Sequence, residues 1–132
     1  MNRIDLISAI RKRMYIQPLE NYRRILNCNY DNQIENEYIN AVRFYQSLSE
    51  TEQKHILFLI ETIIDDTVCN FLSWIDGTYL LSCQNEDVDL SIGGQKVNIN
   101  GALSDIWKNM QEGVNEEDLE AFMDISKSKP TE

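Results

Sequence analysis

Residues 49–77, SETEQKHILFLIETIIDDTVCNFLSWIDG, decide the fold. The stretch opens on Ser49 with Glu52 three residues later. This is the capping-box pattern, in which the serine oxygen takes a backbone N–H and the glutamate reaches back to the cap. It closes on Gly77, the residue that most easily adopts the left-handed conformation after a helix. Between these ends Leu57, Ile60, Ile64, Val68, Phe71 and Ile75 recur every three or four residues, and Ile56, Leu59, Ile63 and Trp74 form a second row. Two apolar rows predict a helix over about 50–76 that neighbours cover on more than one side.

Working back from Ser49, Ile34, Tyr38, Ala41, Tyr45 and Leu48 form a helical stripe, which predicts a helix from Gln33 to Leu48 with Glu35 and Glu37 exposed. So short a link to Ser49 makes the two helices antiparallel neighbours. Residues 27–32, NCNYDN, are rich in turn formers. Before them, Pro18 suits the first turn of a helix buried through Leu19, Tyr22, Ile25 and Leu26. Asn2 can cap a first helix over 3–15 that turns Ile4, Ile7, Ile10 and Met14 inward.

Beyond Gly77 the period changes. Val88, Leu90 and Ile92 alternate with Asp87, Asp89 and Ser91, then Gly93-Gly94 precedes Val97 and Ile99 in a second alternating run. Two such runs about a glycine pair predict a β-hairpin, and Tyr79–Cys83 could add a third strand. Asn100-Gly101 ends this region. A helix over 102–112 follows, with Leu103, Ile106, Trp107 and Met110 on one side and Gly113 at its end. Asn115 with Asp118 caps a last helix that points Leu119, Phe122 and Met123 inward. The expected class is therefore α+β and predominantly helical. Antiparallel helices pack around the central helix, with a hairpin or three-stranded meander at about 79–99 and two C-terminal helices. Residues 1–126 form one domain and 127–132 a polar, frayed tail.

A chain of 132 residues with 42% hydrophobic content can bury a core without disulfides or metals. Its net charge of −10 argues against nucleic acid and against an anionic membrane surface as partners, and is compatible with a basic one. The charge is uneven. Residues 1–24 carry six basic side chains against Asp5 and Glu20, leaving six basic and twenty acidic residues in the remainder. The basic start reads either as a solvated helix face or as a local anion-binding patch. Cys28, Cys69 and Cys83 are odd in number and widely spaced, which fits reduced core thiols of a cytoplasmic protein better than a disulfide framework or a zinc site. There is no secretory signal, and no run of 18 apolar residues that would span a membrane.

No motif for an enzyme or a cofactor stands out. Glu52 and His55 have the Glu-x-x-His spacing of carboxylate-bridged iron sites, but such sites need a second copy and this chain has a single histidine. Glu52 as cap and His55 as surface is the stronger reading. Gly93-Gly94 precedes neither Lys-Ser/Thr nor a helix, so it is not a phosphate loop. Glu61, Asp65 and Asp66 read as the solvated stripe of the central helix. Asp76 opposes the helix dipole at the C-terminus, which calls for a hydrogen bond at the turn or a functional contact. Glu86, Asp87 and Asp89 make an exposed acidic group where the hairpin begins, either guarding a strand edge or meeting a basic protein.

FLSWIDG at 71–77, the alternating hairpin, and INGALSDIW at 99–107 are similar to segments of bacterial immunity proteins, the cognate inhibitors of contact-dependent or polymorphic toxins. The resemblance covers Ser49 to Met110 and lies at the level of role rather than of one fold. It implies tight binding of one basic toxin domain, a nuclease by class, with occlusion of its active site or substrate groove. The residues expected to carry that contact are Asp76, Glu86, Asp87 and Asp89, then Glu61, Asp65 and Asp66, with Tyr79 as an aromatic anchor. The alternative is a non-catalytic interaction module, homodimeric through an apolar helix face.

Overall fold

The computed structural model describes residues 1–99 and 101–127, with side chains through Ala121. The expectations for Asn100, for the Phe122 and Met123 side chains and for residues 128–132 lie outside the described residues. The order is α1 (Arg3–Arg11), a π-helical segment (Lys12–Ile16), α2 (Gln17–Leu26), α3 (Glu37–Ser47), α4 (Glu50–Ile75), β1 (Ser91–Ile92), β2 (Gln95–Lys96), α5 (Leu103–Gln111) and α6 (Glu116–Lys127). The class is the expected one: mostly helical, with a small antiparallel hairpin. The chain gathers into two compact units, residues 1–11 with 67–132 and residues 12–66. The central helix α4 contributes to each.

In the first unit, α5 and α6 pack on α1 and on each other. Ile7, Leu72, Leu103, Ile106, Trp107 and Leu119 are its most deeply buried side chains. Their spacing on α5 (103, 106, 107, 110) is that of a single helical face, as the sequence predicts. Polar ties fix the contact: Arg11 Nε donates to Gln111 Oε1 at 2.8 Å and Ser8 Oγ to Glu116 Oε1. The helix ends follow local rules. Asn2 Oδ1 takes the Asp5 N–H and Asn115 Oδ1 the Asp118 N–H, both at 2.8 Å. At Gly113 the Gly113 and Val114 N–H groups return to the Met110 and Asn109 carbonyls, the doubled bond of a Schellman end.

In the second unit, Leu26, Val42 and Tyr45 form a buried cluster, with Ile25, Tyr30, Ile56, Leu57 and Ile60 packed against it. The capping box forms as read: Ser49 N–H donates to Glu52 Oε1 at 3.0 Å and Glu52 N–H to Ser49 Oγ at 3.2 Å. The Ser49 backbone N–H, then the Ser49 side chain, holds the Glu52 carboxyl below its ordinary range. Gln53 Nε2 reaches back to the Tyr45 carbonyl at 3.1 Å, closing the corner between α3 and α4. Gln46 Nε2 serves the carbonyls of Leu26 and Cys28 at 3.0 and 2.6 Å, satisfying the frayed end of α2.

Several expectations are corrected. The first two helices run on into one another, and the first is α-helical over Arg3–Arg11 rather than over 3–15. A π-helical segment joins them, and its wider turn moves the side chains out of phase, so Met14 is 53% exposed rather than inward. Pro18 does sit in the first turn of α2. α3 starts at Glu37, not Gln33, because Asn36 Oδ1 caps the Ile39 N–H at 2.9 Å. Its buried row is then Ile39, Val42 and Tyr45, while Ile34, Tyr38 and Ala41 are exposed. α4 is not covered on both rows. Ile56, Leu57, Ile60 and Ile64 are half-buried, but Phe58, Leu59, Ile63 and Phe71 are more than half exposed. Tyr79–Cys83 is not a strand: Gln84 Oε1 accepts the Leu81 N–H at 3.2 Å and Gln84 N–H returns to the Leu81 carbonyl, which makes a turn. The cysteines are free thiols, but Cys28 and Cys69 are half-buried and Cys83 is exposed, so none is a core thiol.

Candidate functional site

The acidic region begins where α4 ends. Gly77 has φ +81°, and the Gly77 and Thr78 N–H groups return to the Trp74 and Ser73 carbonyls at 3.0 Å each. The chain is thereby turned out of the helix by another Schellman end. The loop that follows is braced by side chains. Trp74 Nε1 donates to Gln84 Oε1 at 2.7 Å, and Gln84 Nε2 donates to the Glu86 carbonyl at 2.6 Å. Tyr79 OH donates to the Asn70 carbonyl at 2.8 Å, so this residue ties the loop to α4 rather than standing free as an anchor.

The hairpin pairs Ser91 with Lys96 and Ile92 with Gln95, and the Val97 N–H to the Leu90 carbonyl at 2.8 Å lengthens it. Gly93 and Gly94 have φ of +60° and +80°, the two left-handed residues that a type I′ turn requires. Val97 is buried and holds the hairpin down, but Ile92 is 43% exposed rather than inward. Asp87 and Asp89 are exposed while Val88 and Leu90 are half-buried, the alternation read in the sequence.

The acids differ in what they do. Asp76 accepts the Leu103 N–H at 2.9 Å through one oxygen, and the Ser104 N–H at 2.8 Å and Ser104 Oγ at 2.9 Å through the other. It is the N-cap of α5 supplied from a distance, since Ala102 at the cap position has no side-chain oxygen. Its charge opposes the dipole of α4 and favours that of α5. Glu86 and Asp87 are exposed and have no ion-pair partner among the described residues. Asp87 lies beside Gly77, where an added Cβ would stand 3.5 Å from its Oδ1. Asp89 Oδ1 lies 3.5 Å from Lys96 Nζ in a solvated pair. The structure thus brings Asp76, Tyr79, Glu86, Asp87 and Asp89 into one unit around the end of α4, and Glu86, Asp87 and Asp89 form its open acidic strap.

Glu61, Asp65 and Asp66 belong to the other unit. Glu61 Oε1 receives Arg23 Nη2 at 2.7 Å, and Asp66 is exposed. His55 is exposed, and Glu52 is engaged by Ser49 as its cap. Among the described residues, no three of His, Cys, Asp and Glu gather as a metal site would require. Among the described residues, no helix is long and apolar enough to cross a membrane.

That unit also holds a feature the sequence reading missed. An apolar groove of about 320 Å³ runs between α2, α3 and the start of α4. Most of its residues, Tyr22, Ile25, Leu26, Tyr38, Ala41, Tyr45, Leu48, Ile56 and Ile60, lie on the apolar rows that periodicity assigns to the core, and no local signal distinguishes a filled interface from a cleft. Comparisons with known protein families, with curated proteins and with solved structures each found no match.

Proposed function

We propose that this chain is a non-catalytic binding protein of the immunity type, which holds a basic toxin domain, a nuclease by class, and occludes its active site or substrate groove. The observation that supports this reading is the strap of exposed carboxylates, Glu86, Asp87 and Asp89, in the braced loop that leads into a short hairpin, in a chain of net charge −10. A nuclease must present cations to bind phosphate, and carboxylates offered at the same spacing attract those cations and steer association. The Asp89–Lys96 pair does not remove Asp89 from this role, because solvated pairs hold by less than about 1 kcal/mol and exchange readily. Asp76 stabilises the platform and is not offered to the partner. The proposed setting is the cytoplasm, where free thiols stay reduced.

The test is binding of the purified chain to a recombinant basic nuclease toxin domain, followed kinetically at low and high salt. Joint reversal Glu86→Lys, Asp87→Lys and Asp89→Lys is expected to slow association by about ten- to a thousandfold and to flatten its salt dependence. Unchanged kinetics in the triple variant would remove the strap from the interface.

A second reading has its own observation. Phe58 and Leu59, adjacent on α4, are 64% and 54% exposed. Large exposed apolar neighbours mark interaction surfaces, here of a regulatory module that pairs with a second copy. Sedimentation equilibrium decides it: a dimer that Phe58→Ser with Leu59→Ser returns to monomer supports this reading, and a monomer at every concentration removes it.

A further inference from the structure

We propose that the groove in the second unit binds a free single-chain carboxylate amphiphile, with the alkyl chain in the groove and the head group on Arg13. The groove walls are apolar: Ile25 and Leu26 from α2, Val42 and Tyr45 from α3, Ile56 and Ile60 from α4. A second cavity of about 410 Å³ adjoins it and shares Tyr22, Ile25 and Tyr38. That second cavity is about as polar as it is apolar, where the first is almost wholly apolar, and Arg13, Gln17 and Asn21 give it its polar side. An apolar cleft that opens onto a few convergent polar groups is the usual form of a small-molecule site, and its volume sits at the low end of the range, about 300–1,000 Å³.

The sign of the head group follows from Arg13. Its Nη1 donates to the neutral Gln17 Oε1 at 2.9 Å, and no carboxylate pairs with it among the described residues. A guanidinium carries five N–H donors in a planar fork that matches a carboxylate. Arg13 also stands on the π-helical segment, a geometry that recurs at functional sites because the wider turn re-aims side chains. Charge complementarity therefore selects an anion at the polar end, and the apolar walls take an alkyl chain behind it. This site shares no residue with the acidic strap.

The experiment titrates the full chain with dodecanoate below its micelle threshold by calorimetry, with 1-dodecanol as the neutral comparator. Saturable one-to-one binding of dodecanoate is expected. Arg13→Gln should weaken it about tenfold, the scale of one charged hydrogen bond, and should leave dodecanol unchanged. Ala41→Trp, at an exposed position on the groove wall, should abolish binding of both while the far-ultraviolet circular dichroism spectrum is kept. Dodecanoate binding that neither variant alters would overturn the proposal. So would the lack of saturable binding, or capture by phosphatidylglycerol vesicles without binding of monomeric dodecanoate. A dimer that Ala41→Trp dissociates, with no dodecanoate bound, would make the groove an interchain surface and equally refute it.

Discussion

Replacing Asp76 by alanine should destabilise the protein far more than the loss of one half-buried acid would suggest. The side chain takes two backbone N–H groups and one hydroxyl at the first turn of α5. Leu103 is 0% exposed and Ser104 8%, so water cannot replace the missing acceptor. A lost N-cap costs about 1 kcal/mol, and each buried donor left without a partner costs about 1–3 kcal/mol. The working figure for Asp76→Ala is about 3 kcal/mol, and for Asp76→Asn about 2 kcal/mol, since one acceptor oxygen survives. For a chain of this length about 3 kcal/mol lowers Tm by roughly 10 °C. With a urea slope of about 1–3 kcal/mol/M it moves the midpoint down by about 1–3 M.

Urea unfolding followed by circular dichroism measures the shift directly, and the fluorescence of Trp74 and Trp107 together reports on the end of α4 and on α5. A double-mutant cycle with Ser104→Ala should show coupling of about 1 kcal/mol, because both residues share one oxygen. A loss below about 0.5 kcal/mol for Asp76→Ala, the range of ordinary surface substitutions, would refute the capping role and return Asp76 to the candidate interface.

Gly77→Ala places a side chain at φ +81° and should cost about 1–2 kcal/mol, read from the same urea curves. Trp107→Ala empties the most deeply buried aromatic site and should cost about 3–5 kcal/mol, whereas Met14→Ser, on an exposed side chain, should stay within about 0.5 kcal/mol. Ser49→Ala should cost about 1 kcal/mol as a lost cap. Glu52 has a lowered folded-state pKa, so its share of stability is complete above the unfolded carboxyl value of about 4.3 and is lost as pH falls through the lower folded value. Glu52→Gln should remove that part of the acid limb in urea midpoints measured across the carboxylate range.

What could be read in the sequence is what short-range bonds decide. The capping box at Ser49, the Asn2 and Asn115 caps, the glycine ends at Gly77 and Gly113 and the Gly93-Gly94 turn each join groups a few residues apart. Local pattern is then sufficient. The misreadings concern long-range choices. α3 and α4 each carry more than one apolar row, and only the neighbours available decide which row is buried. Tyr79–Cys83 has strand-like composition, but Gln84 turns it back. The π-helical segment leaves no signature in residue type, and it alone puts Met14 outside. At the acidic strap, alternation correctly exposed Asp87 and Asp89. Spacing could not show that Asp76 serves α5, 27 residues away, or that Glu61 faces Arg23 at a separation of 38.

These long-range bonds also change what the net charge means. A charge of −10 suggests a broad field, yet much of the acid is already used. Asp76 is committed to the N-terminus of α5, Glu61 to Arg23, and Glu52 to Ser49. Tyr79, the expected anchor, spends its hydroxyl on the Asn70 carbonyl. An attraction by total charge would therefore predict that any acid-to-lysine reversal weakens a basic partner alike. The geometry instead separates the acids that cap a helix end or pair within the fold from those that stand exposed and uncommitted. Glu86 and Asp87 belong to the second group, with Asp89 joined to them through a pair that solvent already screens. The exposed acids that bonds within the chain do not commit therefore lie on the short braced strap that follows α4, and Trp74 at the end of that helix braces the strap through Gln84.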